Sequence, residues 1–170
     1  MALVQVQTTT VTSATGYVDL IGTTTDDVYM IAFNNVQPTI DNTQLICRVL
    51  VSSSPDTSAN YDRAAIQFLA GGSGANNQYN TNETFTYISG AQSGTNTSET
   101  NQGILYLYNF NNSSEFTYAV IDPVNRNASG TLYGMQGGWV HTVAQSCNGL
   151  RIYYSSGNIA KGTFTLFKQV

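Results

Sequence analysis

The chain has 170 residues, of which only 9% are Asp, Glu, Lys or Arg, and its net charge is −4; ordinary soluble domains carry about a quarter charged residues. The six cations, Arg48, Arg63, Arg126, Arg151, Lys161 and Lys168, are scattered. That distribution argues against nucleic acid as a partner, which needs a clustered basic footprint. No stretch approaches the roughly 20 apolar residues of a membrane helix.

The length suits one domain able to bury a core without metal or disulfide. Eleven Tyr and many Thr favour strands, and Ala/Glu/Lys/Leu runs are missing. Residues 1–15 form a Gln/Thr-rich lead in which Val4 and Val6 alternate with Gln5 and Gln7, giving an N-terminal arm or edge strand. The domain proper is 16–170. Its first strand is 17–22, and 23–27 is a turn. The continuous apolar run 28–36 suits a strand buried on both faces. Pro38 and Asp41-Asn42 mark a loop. The strand 44–52 places Leu45, Cys47, Val49 and Val51 on one face. The polar stretch 53–60 is a loop, 61–70 reads as a strand, 71–82 as a long Gly/Asn loop, 84–89 as a short strand and 90–102 as a second long loop.

Residues 103–110 and 115–124 read as a hairpin. The stretch 131–138 is a glycine-broken approach to a strand at 139–145, and Asn148-Gly149 is the strongest short-range hairpin signal. Strands at 150–155 and 162–169 end the chain. Gly157 and Gly162 act as hinges, and Phe164, Leu166 and Lys168 alternate with Thr163, Thr165 and Phe167. Eight to ten strands with polar turns and no helix imply an all-β, two-sheet antiparallel β-sandwich, jelly-roll-like, closed by its own last strand.

Catalytic and phosphate-binding motifs are missing. His141, the single histidine, has no recognisable nucleophile or zinc spacing, so no catalytic residue, metal or cofactor is expected. Asp26 and Asp27 with Asp41 or Asp62 are candidate Ca²⁺ ligands, although an Asp pair opening a turn is commonplace. Cys47 and Cys147 read as two small buried strand residues. Tyr106, Tyr108, Tyr153 and Tyr154 are either core residues with hydroxyls at the edge or sugar-stacking surfaces. The start, MALVQVQTTT, lacks the basic region of a secretory signal, so cytoplasmic synthesis is expected.

Five stretches carry a resemblance: ALVQVQTTTV (2–11), DDVYMIAFNNV (26–36), NYDRA (60–64), GILYLYNFNNSSEFTYA (103–119) and the ending SSGNIAKGTFTLFKQV (155–170). Together they resemble small virion structural proteins of tailed phages, especially those of marine cyanobacteria. The ending GNIAKGTFTL (157–166) is similar to the last strand of many such modules. The resemblance implies a non-enzymatic capsid decoration protein, a homotrimer on the virion surface with the major capsid protein or other virion proteins as partners. The alternative it leaves is a tail- or head-fibre module that binds host-surface glycan. It transfers no catalytic residue. The expected contact regions are the arm, through Val4, Val6 and Val11, and the loops 71–82 and 90–102, with Asn76, Asn77 and Tyr79.

Overall fold

The computed structural model describes residues 2–72 and 74–170, and every regular element among them is a strand. In chain order these are β1 (Leu3–Val11), β2 (Val18–Ile21), β3 (Tyr29–Pro38), β4 (Leu45–Val51), β5 (Ser54–Pro55), β6 (Tyr61–Leu69), β7 (Ala75–Glu83), β8 (Thr86–Tyr87), β9 (Asn101–Tyr108), β10 (Thr117–Arg126), β11 (Leu132–His141), β12 (Gly149–Tyr154) and β13 (Ile159–Gln169). They build two antiparallel sheets of unequal width. The larger has eight strands in the order β1-β13-β3-β9-β10-β11-β6-β7; the smaller has five, β2-β12-β4-β5 with β8 also on β4. The expected two-sheet sandwich is present, in thirteen strands instead of eight to ten.

The last strand closes the fold as its alternation requires. β13 lies between β1 and β3. Its Phe164 and Leu166 are fully buried in one apolar cluster with Ile31, Phe33, Leu105, Leu107, Leu20 and Ile152. Each such side chain contributes about 1.5–3 kcal/mol by leaving water. On the other face, Thr165 and Thr163 meet Thr8 (3.0 Å) and Thr10 (3.3 Å) through their hydroxyls, cross-strand pairs that tie β1 to the sheet. The lead is therefore an edge strand, paired from Leu3 opposite Gln169 to Val11 opposite Gly162. Gly162 has φ +147°, and a Cβ there would come within 2.9 Å of the Val36 backbone; irregular register on both sides of Lys161 lets the strand bend at this point.

Three expectations about the chain path need correction. The segment 71–82 is not a loop throughout: its polar half forms β7, which pairs with β6 from Phe68 opposite Ala75 to Tyr61 opposite Glu83. An edge strand needs only one ladder partner, so low intrinsic β-propensity is overridden by pairing. Ser73 lies outside the described residues. The glycine-rich 131–138 stretch does not lead into a strand at 139–145. It is most of β11, which ends at His141. Nor do Asn148 and Gly149 turn a hairpin. Both edges of β11 are occupied, by β10 and β6, so the chain must leave the larger sheet, and β12 joins β2 and β4 in the smaller. Gly149 is required for close approach: a Cβ there would stand 2.2 Å from the Leu20 carbonyl oxygen. Asn148 fastens the junction, accepting from the Gly22 and Ser53 backbone N–H groups and donating its own N–H to Leu50.

Gly149→Ala should cost about 1–3 kcal/mol by overpacking in urea denaturation. Gly16→Ala, whose nearest atom would be 3.9 Å away, should stay within about 0.5 kcal/mol. Equal effects would contradict the close β2–β12 contact.

Candidate interaction surface

The two outer faces of the sandwich differ in kind. On the smaller sheet, charged and polar groups satisfy one another. Arg151 grips Asp19 with two hydrogen bonds of 2.7 Å and stacks 3.7 Å from the Tyr17 ring centre. Arg48 donates to the Thr84 carbonyl at 2.8 Å and lies over Tyr153.

The outer face of the larger sheet is lined by threonines on β1 and β13 and is largely apolar across β9, β10, β11 and β6. Strand register sets its pattern, because side chains at paired positions share a face. One row runs across six strands: Met30 opposite Tyr106, Tyr106 opposite Val120, Val120 opposite Gly138, Gly138 opposite Ala64, Ala64 opposite Tyr79. A second row carries Tyr108, Tyr118, Val140 and Asp62, and a third pairs Val124 with Gly134 and Gly134 with Phe68. Tyr118, Val120, Ile66 and Phe68 are each more than 40% exposed. Where Gly138 and Ala64 interrupt the bulky row, a trough of about 530 Å³ opens beside Tyr118, Val120 and Val140. A neighbouring hollow of about 420 Å³ lies beside Ile66, Asn77 and Tyr79. Asp62, Asp122 and Arg126 are the charged residues on these β6, β10 and β11 positions. A contiguous apolar surface of this kind marks a place where something binds, and aromatic side chains are what protein interfaces favour.

The residues expected from the sequence to make contacts are distributed unevenly. Val4 and Val6 are exposed on the edge strand β1, whereas Val11 is buried in the core opposite Gly162. The strand's alternation turns it inward. Asn76, Asn77 and Tyr79 sit on edge strand β7, and Tyr79 is 75% exposed at the rim of the apolar face. The 90–102 segment is not a free loop. Ser93, Glu99, Thr100 and Asn101 are buried, Gln37 donates to the Gly94 and Asn96 carbonyls, and Gln67 donates to the Gly90 carbonyl. Sequence reasoning missed Tyr118, Val120, Ile66 and Phe68 as surface residues. The signal was present in TYAVIDPV (117–124), where apolar residues occupy both parities of one strand.

The carboxylates considered for Ca²⁺ are separated and engaged locally. Asp27 pairs with Lys168 at 2.8 Å, Asp26 accepts from Asn112, Asp41 from Thr95 and Asp62 from the Asn82 N–H. Among the described residues no three His, Cys, Asp or Glu side chains gather as a metal site would require. Both cysteines are free and buried; Cys47 lies on β4 as read, while Cys147 lies in the irregular crossing to β12. Of the tyrosines, Tyr154 is core and bonds to Asn101 and the Val36 carbonyl, whereas Tyr106 is on the exposed face.

His141 is fully buried, with Nε2 2.7 Å from Asp56 Oδ2. Asp56 also accepts from the Ser58 N–H and the Asn60 amide, and its backbone carbonyl accepts from the Tyr61 hydroxyl. With no exposed surface, the imidazole serves as a tie between β11 and the 55–60 segment. Burial pushes Asp56 up, but the hydrogen bonds from His141, Ser58 and Asn60 outweigh it and hold its carboxyl well below the usual range. The resulting stability is present above the ordinary carboxylate value and lost as pH falls below it. Burial pushes Tyr61, Tyr154 and Cys47 the other way, well above their ordinary values. Their contribution is complete below those values and lost as pH rises past them.

No family model, curated protein or solved structure matches the chain.

The urea midpoint should fall as pH drops below about 4 and again as it rises past about 9. Asp56→Asn should cost about 1–3 kcal/mol at neutral pH and flatten the acid limb. An acid limb identical to the parent's would show that the Asp56–His141 tie does not carry it.

Proposed function

We propose that the protein is a non-enzymatic structural module that joins a larger assembly through the outer face of its eight-stranded sheet. Within that reading the assembly is a phage virion, and the module decorates the capsid by binding the major capsid protein. The observation that carries the reading is the exposed apolar surface built by Tyr106, Tyr118, Val120, Ile66 and Phe68 beside the small-residue trough over Gly138 and Ala64. Burying such a surface against a partner supplies free energy without long-range charge. The scarcity of charge fits the same use. With 9% charged residues, many copies can sit side by side on a shell with little mutual repulsion. The sequence resemblance to phage virion proteins supports the choice of assembly. The mechanism is mass action: a module that binds the assembled shell and not its free subunits stabilises the shell.

Val120→Glu places a charge in the centre of the face without touching the core, so the variant should melt within a few degrees of the parent. Its co-sedimentation with particles lacking the protein should weaken by at least about tenfold. Ser114→Glu, on an exposed turn, should bind as the parent does. Undiminished binding by Val120→Glu would remove the outer face from the account.

A further inference from the structure

On the opposite side of β6 and β7, where β8 of the smaller sheet meets the edge of the larger, one cation is left incompletely paired. Arg63 is 8% exposed. Its guanidinium has five N–H donors. Nη2 reaches Asn80 Oδ1 at 2.8 Å and Gln78 Oε1 at 3.4 Å, both neutral oxygens. Nε is buried with no partner. Nη1 has no hydrogen bond among the described residues and is not among the buried orphans, so it reaches solvent. Beneath the guanidinium the Tyr87 ring lies 4.4 Å away, a cation–π contact that supports the charge without neutralising it. No carboxylate forms an ion pair with Arg63 among the described residues. Glu83, whose charge acts on Arg63, accepts instead from the Asn80 amide at 3.2 Å. A largely desolvated charge in this state is costly, and buried charges in folded proteins are normally paired.

Arg63 borders an open hollow of about 480 Å³ lined by Gln44, Asn77, Gln78, Asn80, Tyr79 and Tyr87. The lining is amide and phenol throughout. Primary amides both donate and accept, as a ring of vicinal hydroxyls demands. The volume falls within the range of small-ligand sites. Tyr79 marks the rim where this hollow meets the apolar face, its side chain sharing the Ala64 face while Gln78 and Asn80 share the Arg63 face.

We propose that this hollow binds a carboxylate-bearing saccharide. The carboxylate takes the solvent-reaching Nη1 donors of Arg63, and the amides of Gln44, Gln78 and Asn80 read the ring hydroxyls. A carboxylate completes the guanidinium's hydrogen bonding as neutral oxygens do not. The hollow adjoins the docking face across strand β7, sharing Asn77, Tyr79 and Asn80 with it, but a saccharide site there stands whether or not that face binds a shell. Burial also pulls the Arg63 pKa down, with Tyr87 and Glu83 opposing; an anionic ligand relieves that strain on the charge.

The test is titration of the intact protein with a glucuronate-terminated disaccharide, followed by backbone-amide NMR, with the matching neutral glucose disaccharide and inorganic sulfate as comparisons. Saturable shifts are expected at Arg63, Gln78, Asn80 and Tyr87 at millimolar ligand, with the neutral sugar weaker by at least about tenfold. Arg63→Gln should abolish the shifts. Because that residue is buried, Gln44→Ala is the companion variant: it should keep the parent melting temperature and weaken binding by at least about threefold. Equal binding of acidic and neutral disaccharides, sulfate producing the same shifts with the same affinity as the uronate, no shifts at these four residues, or unaltered binding by Gln44→Ala would each overturn the proposal. Failure here would leave the particle-binding result for Val120→Glu unaffected.

Discussion

The two sheets of this sandwich are unequal, eight strands against five, and that mismatch governs the rest of the structure. A five-stranded layer covers one face of the larger sheet, and there the core forms around Phe164, Leu166, Ile31, Leu107 and Trp139. Nothing in the described chain covers the opposite face. Alternation would normally make such a face polar. Here β10 carries Tyr118, Val120 and Val124 outward while Ala119 and Ile121 point inward. The chain has therefore retained an apolar surface that its own fold leaves in water, a feature that costs solubility and that the proposed partner would cover.

Scarcity of charge shapes how the remainder is held. The interior uses neutral groups where other domains use ion pairs. Asn101 bonds Ser93 and Tyr154, Asn125 bridges to both backbone groups of Ala91, and Thr23 donates to the Cys147 carbonyl. Such bonds contribute about 1 kcal/mol each when made and cost more when a buried partner is lost. They are insensitive to salt, unlike surface ion pairs. Against that background the few ionic contacts stand out by what they do. Asp19–Arg151 seals the outer face of the smaller sheet, Asp27–Lys168 joins the turn before β3 to β13, Asp56–His141 ties a loop to β11, and Arg63 is a buried cation bonded to neutral oxygens.

The fold class was legible because strand periodicity is a local property. Phe164 and Leu166 alternate with Thr163 and Thr165 in the sequence, and their inward and outward placement follows. The route of the chain between sheets was less legible. Asn148-Gly149 carries hairpin chemistry, yet the same glycine is spent on passing within van der Waals reach of the Leu20 backbone; a dipeptide does not reveal which strands already have two neighbours. Strand β7 was hidden because ANNQYNTNE lacks apolar alternation, and only its ladder with β6 makes it a strand. Val11 was misplaced for a related reason, since whether an edge strand's residue faces core or solvent depends on register with β13. The exposed apolar face was written in the sequence as apolar residues at both parities of β10. Reading it required knowing that one of the two faces has no layer over it.

The account rests on the outer face of the larger sheet being covered in the working assembly. Hydroxyl-radical footprinting of the protein, free and on intact particles, measures this directly. The account predicts that Tyr106, Tyr118 and Phe68 are oxidised in the free protein and protected on the particle, while Tyr17 on the opposite sheet is oxidised equally in both. Unchanged oxidation of Tyr106, Tyr118 and Phe68 on the particle, with protection at Tyr17, would contradict it.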